Sequence, residues 1–184
     1  TIRSSLLELA FQLKSESETA MLPYLLTEPT YDQRIVQGIA LIKKGKMDHW
    51  VDPEKAEYLL MLANKYRYGV LEIPCDPHSS DSRTETIEVF KVSTRMNPEL
   101  RESSVAVQFD VRVEGGIGEL VCTTIRDPQD EKWFIDKLEL YMEEQLKSVM
   151  NFLQQSGVDG LGIAHRLYLR HPSGWKKIKQ EWDD

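Results

Sequence analysis

The chain has 184 residues, with 30 acidic and 23 basic side chains and a formal net charge of −7. This length suits one domain, or one domain with an added arm. Hydrophobic residues make up 41% and charged residues 29% of the sequence, the balance of a globular protein with a core of its own. The negative charge excludes a general nucleic-acid binder, because such a protein needs a basic surface to displace counterions from phosphate.

The termini and the apolar runs bear on where the chain acts. No apolar run is long enough to span a bilayer, so we expect a soluble chain. The sequence begins at Thr1 and carries no signal peptide or lipidation motif. We therefore expect a fragment of a longer protein whose targeting signals lie elsewhere.

The first part of the sequence predicts a helix, an extended connector and a strand. Apolar residues recur at helical spacing over residues 2–14. Residues 21–34 contain two prolines, which favour an extended connector. The run from Ile35 to Lys44 is rich in branched apolar residues, a composition typical of a strand covered on both faces, and a turn follows at residues 43–46.

The middle of the sequence predicts a second helix and several strands. Asp52-Pro53 is a helix start, because aspartate caps free N–H groups and proline suits the first helical position. Short strands are expected at residues 70–73 and 84–94, the second ended by Asn97-Pro98. Residues 105–114 alternate strictly between apolar and polar side chains, as in an antiparallel strand with one buried face. The glycines at 115–118 permit a turn or bulge, and residues 119–124 continue as another strand.

The last part of the sequence is helical. Residues 130–155 carry a long apolar stripe, and Gly157 is placed to end that helix as a C-terminal cap. Asp159 is expected to cap the next helix, which Pro172 interrupts, and Trp175 and Trp182 fall on one face of a final short helix. At this spacing the tryptophans are more typical of core anchors than of contact residues.

Together these elements predict an α+β fold, with a mainly antiparallel sheet of about four strands packed against the long helix and further helices at both ends. We divide the chain into an N-terminal helix and connector, residues 1–34, and a C-terminal α+β domain, residues 35–184.

The cysteines and histidines indicate no metal centre. Cys75 and Cys122 form no disulfide framework, and we interpret them as buried free thiols, with a single bridge as the alternative. Cys75, Asp76, His78 and Asp81 share one loop, but their spacing matches no zinc pattern and suits a surface turn.

Carboxylates and glycines likewise give no catalytic pattern. Asp48 with Asp52, and Glu143 with Glu144, are neighbouring acids typical of solvated surfaces. No serine lies in a Gly-x-Ser-x-Gly turn, and residues 115–118 lack the lysine and the spacing of a phosphate loop. We therefore predict that the chain is not an enzyme and uses no catalytic residue, metal or cofactor.

A basic stretch stands out in this acidic protein. Residues 160–180 contain five Lys and Arg side chains and no Asp or Glu. We take four of them as a candidate partner surface, called here the basic face: Arg166, Arg170, Lys176 and Lys177. A solvated helix face without any partner is one alternative. Attraction to anionic lipid headgroups, worth about 1 kcal/mol per basic residue, is another.

The closing run carries a resemblance. Residues 159–162 read Asp-Gly-Leu-Gly, a basic helix follows, and residues 172–177 read Pro-Ser-Gly-Trp-Lys-Lys ahead of a second tryptophan, Trp182. This run resembles the end of the Ger(x)C family, the C subunits of nutrient germinant receptors in spore-forming bacteria. Upstream, Gly38-Ile39-Ala40 is similar to the strand that opens the family's third domain. The likeness covers residues 35–183, and Leu161 stands where the family commonly has an aromatic residue.

The resemblance implies a role that the residues alone do not show. Members of the family are lipoproteins anchored through an N-terminal lipid to the outer face of the inner spore membrane, where they act with two integral membrane subunits in nutrient-triggered germination. This chain would be the carboxy-terminal domain, without the anchor, acting as a scaffold that positions or couples those subunits. A nutrient-binding sensor is the alternative, and would need an apolar pocket with a few convergent polar groups. We expect the Asp159–Gly162 bend to be structural, with its glycines allowing two elements to cross closely.

Overall fold

The computed structural model describes residues 5–27, 34–76, 82–101 and 104–182, with the backbone alone for residues 25–27 and 34–37. Its elements, in chain order, are α1 (Leu6–Leu13), β1 (Thr19–Thr27), β2 (Arg34–Lys43), β3 (Lys46–Val51), α2 (Pro53–Leu62), β4 (Gly69–Pro74), β5 (Thr84–Leu100), β6 (Val105–Glu119), α3 (Pro128–Ser156), α4 (Ile163–Arg170), α5 (Pro172–Ile178) and a 3₁₀ turn (Lys179–Glu181).

The strands form two antiparallel sheets, ordered β1-β2-β3 and β4-β5-β6. The α+β class, the antiparallel pairing and the helices at both ends are confirmed. The single sheet of about four strands is wrong, because two strands of the first sheet were not predicted. No helix in the described ranges is both long enough and apolar enough to cross a bilayer.

The predicted connector is a strand over most of its described length. β1 pairs with β2 from Thr19 opposite Lys43 to Thr27 opposite Arg34. Pro23 is tolerated because β1 is the outer strand of its sheet, where a missing N–H need not break a ladder. Residues 28–33 lie outside the described ranges. β3 was missed because its side chains are mostly exposed and show no apolar alternation.

One core joins both sheets through α2. The Asp52 side chain accepts a hydrogen bond from Lys55 N at 2.8 Å, and Pro53 occupies the first turn, as predicted. α2 buries one face between the sheets and α3. The core that it completes includes Ile39, Leu41, Val51, Leu59, Met61, Leu71, Val89, Val149 and Leu153.

β5 and β6 form a long ribbon that departs from prediction at two points. β5 continues through Asn97-Pro98, opposite Gln108 and Val107. Among the described residues, β6 is its only strand partner beyond Val89, so a proline there need not break a second ladder. The expected bulge in the glycine segment is confirmed by register shifts opposite residues 86–91. The expected strand at 119–124 is wrong, because β6 ends at Glu119 and a loop follows.

α3 is the longest helix and ends at Gly157, whose φ of 62° is the left-handed cap that the sequence predicts. Of its 29 residues, the buried ones are Phe134, Val149 and Leu153. After α3 in the chain, α4 and α5 enclose a small core around Trp175, which is 1% exposed. Trp182 packs edge-on against Trp175, with ring centroids 5.2 Å apart, so the predicted tryptophan anchor is confirmed.

Candidate functional site

The structure divides the basic face between two packed helices. Arg166 and Arg170 lie one turn apart on α4, and both reach strand β5. Arg166 Nη1 donates to Met96 O at 3.4 Å, and Arg170 Nη1 donates to Asn97 Oδ1 at 3.5 Å. Bonds of this length are weak. Both guanidinium groups are directed toward β5, but both residues remain exposed.

Lys176 and Lys177 form the second half of the basic face. Both are exposed in α5, directly after the buried Trp175, so the packing of the indole fixes where the helix presents them. The next basic residue, Lys179, is used differently: its Nζ donates to Glu16 Oε2 at 2.7 Å. Lys176 and Lys177 are therefore the members of the face that structural contacts constrain least.

The bend at 159–162 is a structural joint. The Asp159 carboxylate accepts hydrogen bonds from Ile163 N and Ala164 N, each at 2.8 Å, and caps α4 as expected. Its own carbonyl oxygen accepts a bond from Thr19 Oγ1 at 2.6 Å, which ties the joint to β1. Burial raises the pKa of Asp159, although the backbone hydrogen bonds oppose that shift. With both oxygens already bonded, this carboxylate has a structural role.

The two glycines of the joint do not mark a close crossing. A Cβ on Gly160 would meet Leu41, Leu153 and Met21 at 3.5–3.6 Å, which is ordinary van der Waals contact. Gly162 has open space around it, and its φ of +71° favours glycine there. The expectation that the glycines allow two elements to cross closely is therefore wrong at both positions.

Cys75 and Cys122 are joined in a disulfide, so the prediction of two free thiols is wrong. The bridge links the residue after β4 to the loop after β6, across 47 positions of sequence. Sequence spacing cannot reveal this, because the two segments approach only through their pairing with opposite edges of β5.

Beside the disulfide lies a buried carboxylate, Glu85, which is 0% exposed. It accepts hydrogen bonds from Cys122 N at 3.1 Å, from Thr123 N at 2.7 Å and from Thr123 Oγ1 at 3.1 Å. Lys137 Nζ of α3 lies 3.7 Å from its second oxygen and donates to Cys75 O at 3.1 Å. Burial on its own would raise the pKa of Glu85, but these bonds and the Lys137 charge outweigh it, so the pKa is lowered.

This cluster holds the start of α3 against the second sheet. Cys75, Glu85 and Cys122 lie close enough together to suggest metal ligands, but both sulfurs are bonded to each other in the disulfide and are not available as thiolates. Of the loop weighed as a metal site from sequence, His78 and Asp81 fall outside the described residues. The sequence did not identify Glu85 as a functional or structural residue, because it lies in a predicted strand without any recognisable motif.

Three of the other carboxylates considered from sequence, Asp48, Asp52 and Glu143, have separate partners. Asp48 Oδ2 lies 2.9 Å from His49 Nδ1, whereas Asp52 caps α2. Glu143 pairs with Lys147 at 2.6 Å along α3. Neither arrangement places two carboxylates across a cleft.

A feature that the sequence did not predict is an apolar groove between β6 and α3. It has a volume of about 1350 Å³. One wall is the inward face of β6, whose alternate residues are all half-buried: Val105, Val107, Phe109, Val111 and Val113. The other wall comes from α3 and includes Ile135, Leu138, Met142, Leu146 and Met150. The exposed α3 rim carries Glu131, Glu139 and Glu143.

The groove was missed because apolar stripes on a strand and a helix predict direct contact between them. The feature of α3 that points to the groove is its length compared with its burial. The helix has 29 residues and is about 43 Å long. Only Phe134, Val149 and Leu153 are buried along it.

Most of the chain matches a known protein family. The family model described as "Spore germination B3/GerAC like, C-terminal" covers residues 37–184. Two similar proteins are from Bacillus subtilis (strain 168). Spore germination protein KC is 21% identical over 161 residues, covering 85% of this chain and 39% of that protein. Spore germination protein YndF is 24% identical over 155 residues, covering 80% of this chain and 37% of that protein.

Among solved structures, the crystal structure of the GerBC protein matches with a TM-score of 0.75 at 18% identity. The match covers 95% of this chain and 53% of that one, and at this identity it shows a shared fold. The chain thus spans about two fifths of the curated relatives and about half of the solved structure.

Proposed function

Since this chain belongs to the spore germination B3/GerAC-like family, we propose that it is a non-enzymatic domain of a nutrient germinant receptor. In this role it scaffolds or couples the receptor's integral membrane subunits. The full-length protein is anchored by an N-terminal lipid at the outer face of the inner spore membrane. Residues 35–184 form its carboxy-terminal domain, with residues 1–34 leading into it.

The observation that carries the scaffold role is the basic face. Four exposed cations lie on two packed helices within a stretch of sequence that contains no carboxylate, although the whole chain has a net charge of −7. An acidic surface of a membrane subunit would be attracted to this face and oriented by it.

A nutrient sensor is supported less well. Amino acids and sugars are recognised by polar groups that converge within a pocket. The walls of the groove are mainly aliphatic and aromatic. Its carboxylates Glu131, Glu139 and Glu143 and its amides Asn151 and Gln154 are exposed and do not converge inside it. Asp159 also lines the groove, but its oxygens already cap α4.

The scaffold proposal is tested by pull-down of the tagged domain against detergent-solubilised inner membrane from spores, read by mass spectrometry. We expect enrichment of a polytopic receptor subunit by the wild type, and its loss with the double variant Lys176→Glu/Lys177→Glu. Lys46→Glu/Lys132→Glu makes the same charge change at exposed sites elsewhere and should retain the partner. Equal recovery by all three proteins would contradict a role for the basic face.

The lipid alternative is tested on the same proteins. Sedimentation with vesicles of phosphatidylglycerol would detect attraction to headgroups. Vesicle binding that disappears with Lys176→Glu/Lys177→Glu, without capture of any receptor subunit, would assign the face to the membrane instead.

A further inference from the structure

We propose that Glu16 is a positioning residue for the basic face, a role that rests on the partner binding proposed above for that face. The Glu16 carboxylate clamps α5 from the turn between α1 and β1, and so fixes the direction in which Lys176 and Lys177 are presented to a partner. Glu16 lies outside residues 37–184, the range that the family model covers, so the family match does not assign it this role.

Two residues of the closing segment share one carboxylate oxygen of Glu16. Trp175 Nε1 donates to Glu16 Oε2 at 3.0 Å, and Lys179 Nζ donates to the same oxygen at 2.7 Å. The side chains of Lys179 and Glu16 are 55% and 23% exposed, and an ion pair this accessible would hold a helix only weakly by itself. The buried indole of Trp175 supplies the fixed geometry, so the two bonds together define where α5 lies against the turn.

The two donors lie on one side of the segment formed by α5 and the 3₁₀ turn after it. Trp175 and Lys179 are four positions apart, a spacing that places them on the same helical face. Lys176 and Lys177 lie between them in the sequence. At about 100° per residue, Lys177 projects roughly opposite the clamped side and Lys176 projects laterally. A tilt or rotation of α5 would therefore redirect both ammonium groups.

α5 depends on tertiary contacts for its position. It has seven residues, and its N-cap residue, His171, makes no side-chain hydrogen bond to the first turn. Helices this short are marginal unless other parts of the protein hold them. The core around α5 is small, with Ala164, Leu167 and Trp175 as its buried members among the described residues. The bonds to Glu16 therefore matter for where this helix lies.

Glu16 is itself held in place by the turn to which it belongs. Its neighbours Ser17 and Thr19 are both buried, with Ser17 Oγ 2.9 Å from Thr19 Oγ1. Thr19 Oγ1 donates to Asp159 O at 2.6 Å, which ties the turn to the joint before α4. The bonds that Glu16 accepts, the one from Lys179 above all, lower the pKa of its carboxyl, so the clamp is ionised at neutral pH.

Charge alone predicts the opposite effect of this residue on binding. Glu16 places a negative charge near the basic face, so removing it should strengthen the attraction of an acidic partner. A clamp predicts weaker binding, because lysines on a loosened helix must be ordered again when the partner binds. The sign of the change therefore separates positioning from plain electrostatics.

The test compares Glu16→Ala with the wild-type chain in two measurements. Hydrogen exchange read by mass spectrometry should speed up at least about tenfold in residues 172–182, because the lost bonds held this segment, and stay unchanged in β2 and β5. Recovery of the receptor subunit in the pull-down from solubilised spore membrane should fall at least about threefold, although the chain has become less acidic.

Two variants make the same charge change and keep an acceptor for α5. Glu16→Gln retains an oxygen at the same reach for Trp175 and Lys179, so it should recover most of the wild-type exchange and capture. Glu18→Ala removes an exposed carboxylate from the same turn and leaves Glu16 intact, so it should capture at least as much subunit as the wild type.

Several results would overturn the proposal. Capture by Glu16→Ala at or above the wild-type level would show that the clamp does not position the basic face. Equal losses of capture in Glu16→Ala and Glu16→Gln would assign Glu16 to charge contact with the partner. Faster exchange throughout the chain would show general destabilisation in place of a local hold on α5.

Failure of the clamp and failure of the proposed function give different results. If the wild type captures no subunit, the receptor role of the basic face fails, and exchange in residues 172–182 still decides whether Glu16 holds α5. Unchanged exchange of these residues in Glu16→Ala would exclude the clamp whatever the pull-down recovers.

Discussion

The closing segment, residues 157–182, and the groove between β6 and α3 differ in how completely their side chains are buried or hydrogen-bonded. In the closing segment Trp175 is buried and donates through Nε1 to Glu16 at 3.0 Å, and the Asp159 carboxylate is fully engaged. Along the groove the apolar side chains of β6 remain half-buried. The residues that resemble the family's terminal motif thus hold the fold together, whereas the open surface carries no motif.

The largest expected effect lies in the closing segment. Trp175→Ala should lower the free energy of unfolding by about 3–5 kcal/mol, because it empties a core site and removes one of the two donors to Glu16, the other being Lys179. Urea denaturation followed by circular dichroism measures this. Trp133→Ala, at a tryptophan that is 58% exposed, should change stability by less than about 1 kcal/mol. Equal losses would mean that Trp175 is no anchor.

The disulfide ranks next. Replacing Cys75 and Cys122 by serine together should lower stability by roughly 2–4 kcal/mol, because the bridge closes a loop across 47 positions and restricts the unfolded chain. The same denaturation measurement applies, with reductant added to the wild type as a second route. Two titratable thiols in the unreduced, folded protein would show that the bridge does not form.

Glu85 is expected to contribute about 1–2 kcal/mol to the free energy of unfolding, and this contribution depends on pH. Its folded pKa is lowered, so its stabilisation is present above the unfolded value of 4.5 and is lost as the pH falls through the folded pKa. Glu85→Gln should therefore flatten the loss of stability below pH 4.5. Glu88→Gln changes an exposed glutamate on the same strand and should leave the acid dependence unchanged. If both variants behave alike, the Glu85 bonds do not stabilise the fold.

The smallest effect is expected in the groove. Leu146→Trp should change the free energy of unfolding by less than about 1 kcal/mol, because the indole enters open space. Leu153→Trp, at a leucine of the same helix that is 6% exposed, should cost about 1–3 kcal/mol by overpacking the core. Comparable losses from both would mean that the groove is closed in solution.

The sequence predicted the elements whose pattern is local. Asp52, Gly157 and Asp159 were identified as caps because capping depends on neighbours in the chain. The α+β class followed from periodicity in the same way.

What the sequence did not predict depends on pairing between distant segments. β1 was hidden by Pro23, which an outer strand tolerates, and the Cys75–Cys122 bridge requires the register of a sheet. The groove depends on the distance between α3 and β6, which the apolar stripes of the two elements do not specify. The basic face was located from composition, and its contact role stays a proposal.

The most direct measurement of the receptor role is nutrient-triggered germination of spores whose full-length protein carries Lys176→Glu/Lys177→Glu. Release of dipicolinic acid should slow severely with nutrient but not with a trigger that bypasses the receptors, while Lys46→Glu/Lys132→Glu spores respond normally to both. Wild-type nutrient response from Lys176→Glu/Lys177→Glu spores, with the protein present at its normal level, would contradict the proposal that this domain couples the receptor through its basic face.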